Sequence, residues 1–416
     1  MTLMTNYLIE PLAPLVFRSG KPFGSQASAA DVVFPMPSAA AGLIRATSIN
    51  QKQAQIDEHS VEGITNPSYQ QILAIKSTGP YLARFDESLQ HVEILVPKPA
   101  DALYFEAKSD NDEAEETHAK IQLVRLAPKA LDPECGSDLP NGLLPVQMEA
   151  PIKGKPKPGV AYWTLEHLKK WQSELEADNK NNSKLTFDEL QKDGLTQLPI
   201  DLRTHVAIDS QSKASKTGQL FQTASFDFGY AITEGKATNG RSVWKDNRLG
   251  FIVKTEQSLD EDMVTFGGER RLSKFISVNG IEELYDDSSE ELLRKINDAK
   301  GFRLTFLTPC IFANGYLPSW LEASTKKGIL PNTNITVSLK ACAIDKWQPV
   351  SGWDSILWKP KAMRKAISSG SVYWFALDSE LSLSDLEQIL YHVWSDDNQD
   401  KNDGFGSAII APWKSD

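Results

Sequence analysis

The sequence predicts an α+β fold of short strands and few helices, and three observations carry that prediction. Short apolar runs such as KIQLVRL (120–126), ITVSLKACAID (335–345) and SVYWFAL (371–377) are rich in β-branched and aromatic residues. Helix signals are sparse; the clearest is TFDELQK after Thr186, with Glu189 in capping-box spacing. The composition, 41% hydrophobic and 24% charged over 416 residues, is that of a globular chain with length for roughly two or three domains.

Residues 7–17 read as a strand ending at Arg18, inside the stretch LVFRSGKPFG (15–24). A chain that merely turns needs a glycine or proline; the two cations beside them, Arg18 and Lys21, suit a phosphate backbone. After a Gly/Ser/Ala-rich loop, Ser38 reads as the N-cap of a helix through AAAGLIRATSI. ILAIKSTGPYLARF and HVEILV (72–96) read as a strand pair, followed by the strand KIQLVRL. PIKGKPKPGVAYW (151–163) reads as a linker or exposed loop. TLEHLKKWQSEL, from Thr164, and TFDELQK read as two short helices. THVAID and QLFQTASFDF frame a β-ribbon around the polar loop SQSKASKTG. In the last third, FRLTFLTPCIF, ITVSLKACAID and SVYWFAL are strands, SDLEQILYHVW is a helix, and the chain closes on GFGSAIIAPW.

The net charge of −11 argues against a nucleic-acid partner until its distribution is considered. Three acidic stretches, 101–118, 282–298 and 378–403, hold 22 of the 55 carboxylates and 4 of the 44 cations. The remainder carries 40 positive against 33 negative charges, a net of +7. The acidic runs read as solvated loops and helix faces, which leaves a mildly basic body. No apolar run approaches the ~20 residues that span a bilayer. The start, MTLMTNYLIEPLAP, lacks a signal peptide's basic region and cleavage site, so a cytoplasmic location is expected. Cys135, Cys310 and Cys342 are far apart and odd in number, against a disulfide framework.

Chemistry-bearing motifs are scarce. No cysteine or histidine pair has metal-ligand spacing, and neither a phosphate-binding G-x-x-x-x-G-K-[ST] loop nor a G-x-S-x-G elbow occurs. Asp286–Asp287 and Asp396–Asp397 could take a hard cation but fall within the acidic runs, so no metal or cofactor is expected. TFGGERRLSKF (265–275) resembles the hairpin of palm-type nucleotide polymerases and cyclases, in which two glycines precede two metal-holding carboxylates. Here Arg270 and Arg271 occupy the following positions; adjacent cations repel metals and suit phosphates. An ordinary glycine-bearing strand with exposed arginines accounts for this stretch equally well.

The basic segments are the positive signal. They comprise Arg18 and Lys21, Arg45 on the first helix, Arg270 and Arg271, and the cluster KPKAMRK with Lys359, Lys361, Arg364 and Lys365. Phe23, Phe266 and Trp358 lie beside three of them and could stack on unpaired bases. Taken singly, each aromatic suits a core position as well as a platform.

The order of these segments resembles the RAMP proteins of CRISPR RNA-guided effector complexes, in particular the third subunit of the type III-B (Cmr) complex. EPLAPLVFRSGKPFG, FPMPSAAAGLIRA, LRTHVAIDSQSKASKTGQLFQ, FGGERR, FLTPCIFANGYLP, KPKAMRKAISSGSVYWFAL and the GFG loop carry the resemblance, spread over most of the chain. The terminal loop departs from it, with SAIIA where the RAMP pattern has a further glycine.

The resemblance implies two ferredoxin-like (RRM-like) modules with long insertions and a β-ribbon thumb. The implied division is 1–150 for the N-terminal module with its acidic insertion, 151–200 for a linker and helical insertion, and 201–416 for the thumb and C-terminal module. It implies a non-catalytic subunit that caps the 5′ handle of the CRISPR RNA. The partners implied are the large signalling subunit and a backbone RAMP. By position, Arg18, Lys21, Phe23 and Gly24 resemble the first-strand loop, and Ser38 and Arg45 the helix behind it. Gly267, Gly268, Arg270 and Arg271 resemble the second basic loop, Gly404 and Gly406 the glycine-rich loop, and His205 and Ile208 the thumb. Two rivals remain open: a RAMP endoribonuclease using His59 or His205 as general base, and a protein-only structural subunit. The related type III-D subunit is a neighbour within the favoured class.

Overall fold

The computed structural model describes residues 4–18, 32–55, 67–107, 121–148, 154–173, 185–229, 248–285, 289–354 and 359–415. The first part of the chain gives β1 (Thr5–Pro11), α1 (Pro37–Asn50), α2 (Pro67–Ala74), β2 (Ser77–Phe85) and β3 (Val92–Pro97). A small four-stranded sheet follows from β4 (Ala102–Ala107), β5 (Ile121–Pro128), β6 (Val146–Met148) and β7 (Gly154–Pro156). Then come β8 (Tyr162–Thr164), α3 (Leu165–Ser173), α4 (Phe187–Asp193) and the ribbon of β9 (Ile200–Ile208) and β10 (Ser215–Phe226). The chain then re-enters the first sheet as β11 (Arg248–Thr255), β12 (Asp262–Thr265) and β13 (Leu272–Ser277).

The C-terminal part comprises α5 (Ser289–Ala299), β14 (Gly301–Phe306), β15 (Lys327–Ile329) and β16 (Thr336–Ala343). Short strands β17 (Trp347–Val350), β18 (Trp353–Asp354), β19 (Lys359–Pro360) and β20 (Arg364–Ile367) follow. The last elements are β21 (Val372–Leu377), α6 (Leu383–Leu390), α7 (Asn398–Asp403) and β22 (Ala408–Pro412).

The two main sheets share a strand logic. In the seven-stranded sheet the central order is β13-β1-β11-β2, all antiparallel; in the five-stranded sheet it is β22-β14-β21-β16, also all antiparallel. Numbered within each part, both read 4-1-3-2, the strand order of a β-α-β-β-α-β ferredoxin-like unit. Neither unit is complete in helices: a loop and β12 stand between β11 and β13, and loops with β15 stand between β14 and β16.

β1 explains why its sheet is covered on both sides. Tyr7 and Ile9 enter one apolar cluster with Leu43 and Ile44 of α1, while Leu8 enters another with Leu168 and Trp171 beyond the opposite face. On β14, Phe302, Leu304 and Phe306 likewise pack under α5 and α6 with Leu292, Ile296 and Leu386. Its alternate residues are polar and face the N-terminal part. Arg303 bonds Asp101 at 3.3 Å, and Thr305 accepts from Gln172 Nε2 at 2.9 Å. Asp101 also receives Arg125 and the Trp171 indole, so one buried carboxylate joins the two halves.

Several sequence expectations shift. The strand expected over 7–17 ends at Pro11, because Pro11 and Pro14 withhold backbone donors; Leu15, Val16 and Arg18 then form only isolated bridges. Residues 72–74 belong to α2. Part of the expected linker 151–163 is paired, with β7 on β4 and β8 on β3. The capping box at Thr186 forms as expected, Thr186 Oγ1 accepting from Glu189 N at 3.3 Å and Glu189 Oε2 from Thr186 N at 2.8 Å. The division at 150 and 200 does not follow the sheets. The first sheet takes β11–β13 from beyond 200, since sheet neighbours are set by pairing and a long insertion separates β2 from β11.

Candidate nucleic-acid interface

The first basic loop is anchored at both ends. Leu15 pairs with Phe226 at the root of the ribbon, Val16 with Gly268, and Arg18 with Val32. Arg18 is exposed and its guanidinium stands 4.0 Å from Glu269. Lys21, Phe23 and Gly24 lie outside the described residues.

The GGERR segment is the turn between β12 and β13, closed by Phe266 N donating to Arg271 O at 3.0 Å. Gly267 has φ +82°, and a Cβ there would stand 2.9 Å from the Phe17 ring and 3.0 Å from Val16 O. The glycine is what lets this turn lie against the first loop. Arg270 is exposed at the turn, in left-handed backbone; Arg271 is held by Glu269 at 2.6 Å. Phe266, expected as a stacking candidate, is core: it is 1% exposed and packs edge-on to Phe17 and Phe251.

On α1 the N-cap is Met36, not Ser38. Pro37 takes the first helical position, where its fixed φ fits and its missing N–H needs no partner, leaving half-buried Ser38 in the first turn. Arg45 turns inward. It pairs with Asp403 at 2.7 Å and donates to Leu73 O and Ile75 O, tying α1 to α2 and α7. A guanidinium 11% exposed with three protein acceptors is a bracket of the fold rather than a surface contact.

Lys359, Lys361, Arg364 and Lys365 are all exposed on the hairpin formed by β17–β20. Arg364 makes a bidentate pair with Asp400, at 2.6 and 2.7 Å, which raises its pKa through that hydrogen bond. Lys365 stands 5.2 Å over the Trp347 ring. Trp358 lies outside the described residues, as do His59 and Asp286–Asp287.

The acidic run 378–403 is not simply solvated. Asp396 accepts from Ala313 N and Ser319 N at 2.8 and 3.0 Å, and Asp397 caps α7. Asp400 and Asp403, 2% and 5% exposed, hold Arg364 and Arg45. The expectation of solvated loops and helix faces fails for these carboxylates because their partners are distant in the chain.

The GFG loop also departs from expectation. Gly404 ends α7 in left-handed conformation, Phe405 is 0% exposed, and Gly406 is buried. A Cβ at Gly404 would meet Ser77 O at 2.7 Å, and one at Gly406 would meet Ser395 N at the same distance. Phe405 packs with Met36, Ile311, Val350 and Ala366. The glycines therefore seat the loop beneath the basic hairpin and α1; they do not face solvent.

Above that seat lies a groove of about 1370 Å³. Its walls are Val16–Arg18, one side of α1 from Ser38 to Asn50, β12 with the Gly267–Glu269 turn, Lys361 and Arg364 of the hairpin, and the carboxylates of α7. Two of the four basic segments thus bring cations to one groove, Arg18 from the first and Lys361 and Arg364 from the last, although about 340 residues separate Arg18 from Lys361. The GGERR segment meets them through Gly267–Glu269, not through its arginines. The ribbon rises beside it from the Leu15–Phe226 bridge. It exposes Leu202, Val206, Ile208, Leu220 and Phe221, and His205 stacks on Phe221 with Nε2 2.9 Å from Thr223 Oγ1. Among the described residues no cluster of three or more metal-ligating side chains occurs. No described helix is long and apolar enough to cross a membrane.

Convergent basic loops on an antiparallel α+β frame define a candidate RNA-binding protein. The chain belongs to the CRISPR-associated protein (Cas_Cmr3) family, whose family model matches residues 7–413. It is accordingly a subunit of a CRISPR type III effector complex. No curated protein sequence matches it. It is similar to a chain of the type III-B Cmr-beta complex solved by cryo-EM bound to cognate target RNA. There the identity is 17% over 89% of this chain and 86% of that one, with a TM-score of 0.45. A second such structure, with target RNA and AMPPnP, gives 16% identity, the same coverage and a TM-score of 0.43. A chain of the Csm3–Csm4 subcomplex of the type III-A interference complex gives 11% identity over 99% of this chain and 100% of that one, with a TM-score of 0.38.

Proposed function

We propose that this chain is a non-catalytic CRISPR RNA-binding subunit of a type III-B complex that caps the 5′ handle of the guide in the groove. It bridges the large signalling subunit to a backbone RAMP, and the ribbon acts as the thumb. The observation that carries the reading is the convergence of Arg18, the Gly267–Glu269 turn and Lys361 on one groove. Backbone N–H groups in glycine turns and arginines at their edges are the groups that hold phosphates. Five carboxylates line the same groove: Asp397, Asp400 and Asp403 are engaged by the α7 N-terminus, Arg364 and Arg45, Glu269 by Arg271 and Arg18, and Asp262 accepts from Met263 N. Arg45, Gly404 and Gly406 support the groove and are not phosphate contacts in this reading.

The test is binding of labelled guide RNA, with and without its 5′ handle, to the full chain across a salt series in EDTA. Handle-dependent, salt-sensitive binding of intact RNA is expected. Arg18→Ala with Lys21→Ala should weaken it and flatten its salt dependence, roughly one counterion being released per phosphate neutralised. A discrete cut lost in His59→Ala or His205→Ala would instead establish an endoribonuclease. Absence of binding at low salt would leave a protein-only subunit.

A further inference from the structure

Tryptophan is rarely left in water, and this chain buries Trp163, Trp171, Trp374 and Trp394. Trp347 and Trp353 are 57% and 52% exposed, and both stand on the β17–β20 hairpin. The described residues of that hairpin and its approach, 346–354 and 359–367, contain five cations and one carboxylate. The hairpin is not loose at its root. Val350 and Ala366 are buried against Phe405 and Ile311, and β17 pairs with β20 from Trp347–Ile367 to Val350–Arg364.

The two rings address two adjoining hollows. Trp353 lines the groove that holds Arg18 and Lys361, while Trp347 lines a neighbouring cavity of about 1080 Å³. Val33 and Met36 belong to both, and the chain from Trp347 on β17 to Trp353 on β18 passes from one hollow to the other, Trp347–Pro349 lining the second and Val350–Trp353 the first. An exposed aromatic face beside cations is the combination that holds unpaired bases: the ring stacks and the cations follow the backbone. A protein interface would favour the tryptophans but not the lysines, which such interfaces deplete.

We infer that Trp353 and Trp347 form a base-stacking platform that carries the single-stranded RNA of the groove across β17 into the second cavity. This rests on the RNA-binding reading above and adds to it where the bases, rather than the phosphates, are held. Stacking accepts any base, so the platform contributes affinity and path with little sequence preference.

The experiment uses the full chain with two probes: guide RNA bearing its handle, and oligoadenylate. Each is also made with one abasic residue moved along the strand. Trp353→Ala is expected to lose about 5- to 150-fold in affinity with an unchanged salt slope, and Trp353→Phe to recover most of it. One abasic position should weaken the wild type by a similar factor and add nothing further in Trp353→Ala, as a shared contact requires. Trp347→Ala should behave likewise at a second position. Folded alanine variants that bind intact and abasic RNA as the wild type does would overturn the inference. So would variants that keep RNA affinity but lose binding to the other subunits, which would make the hairpin a protein contact. If oligoadenylate shows the abasic pattern while the handle gives no advantage, the platform stands and the handle reading fails. If neither RNA binds at low salt, both fail.

Discussion

Two glycine-bearing loops, FGGERR at 266–271 and GFG at 404–406, look alike in the sequence and do opposite work in the fold. The first is exposed beside the groove; the second is packed beneath it. Both use left-handed glycines, at Gly267, Gly404 and Gly406. At Gly268, by contrast, φ is not left-handed, and a Cβ would stand 3.3 Å from Val16 O, tight but short of a clash. A glycine signals backbone that only glycine can adopt or close approach of another chain segment, and neither by itself signals a ligand.

That contrast can be broken most severely at Gly406. Gly406→Ala places a Cβ 2.7 Å from Ser395 N and 2.9 Å from Cys310 Sγ in left-handed backbone. It should cost about 3–4 kcal/mol, read as a large fall in Tm. A variant melting with the wild type would show that the buried loop is not tightly seated.

Acid should loosen the same region next. Burial holds His392 down to about 4 from its ordinary 6.5, and the ring packs edge-on to Trp394, whose backbone N–H donates to Gly406 O at 2.9 Å. The unfolded chain takes up a proton on this residue first, so stability falls as pH drops from about 6.5 toward 4. The loss is up to about 3 kcal/mol and is absent in His392→Gln. A His392→Gln melt with the same pH dependence as the wild type would assign the acid sensitivity elsewhere.

At the exposed loop the effects move from stability to affinity. Arg270→Ala should leave Tm unchanged, weaken handle RNA about fivefold and lower the salt slope by roughly one. An unchanged slope would remove Arg270 from the phosphate contacts. Gly268→Ala is the mildest change in stability, about 1 kcal/mol or less, because its Cβ would stand 3.3 Å from Val16 O, a contact that a shift of a few tenths of an ångström relieves, and φ lies outside the left-handed region. A cost as large as that at Gly406 would erase the contrast between the loops.

Legibility followed the range of the interactions. The capping box at Thr186, β16, β21 and the ribbon strands were readable because caps and short apolar runs act over a few residues. β11 was not singled out, although it is central to the first sheet; in RLGFIVKT the glycine at 250 interrupts a short apolar run and weakens its strand pattern. Arg18 and Lys361 in the groove wall and Arg270 beside it are exposed, as solvent-facing cations in loops commonly are. Arg45 is not, since its partners Asp403 and Leu73 O come from α7 and α2. Trp347 and Trp353 were missed because nothing local separates an exposed tryptophan from a buried one; their place within a cation-rich hairpin was the available signal.

By itself, the sequence determined the α+β class, the caps and the identity of the cation-bearing segments, because periodicity, turn chemistry and charge are properties of neighbours in the chain. Which cations face the groove, which carboxylates neutralise the others, and which glycine loop lies beneath was decided only by tertiary structure. Those outcomes depend on pairs such as Arg45–Asp403, Arg364–Asp400 and Val16–Gly268, and burial brings each pair together across a distance that no local pattern encodes.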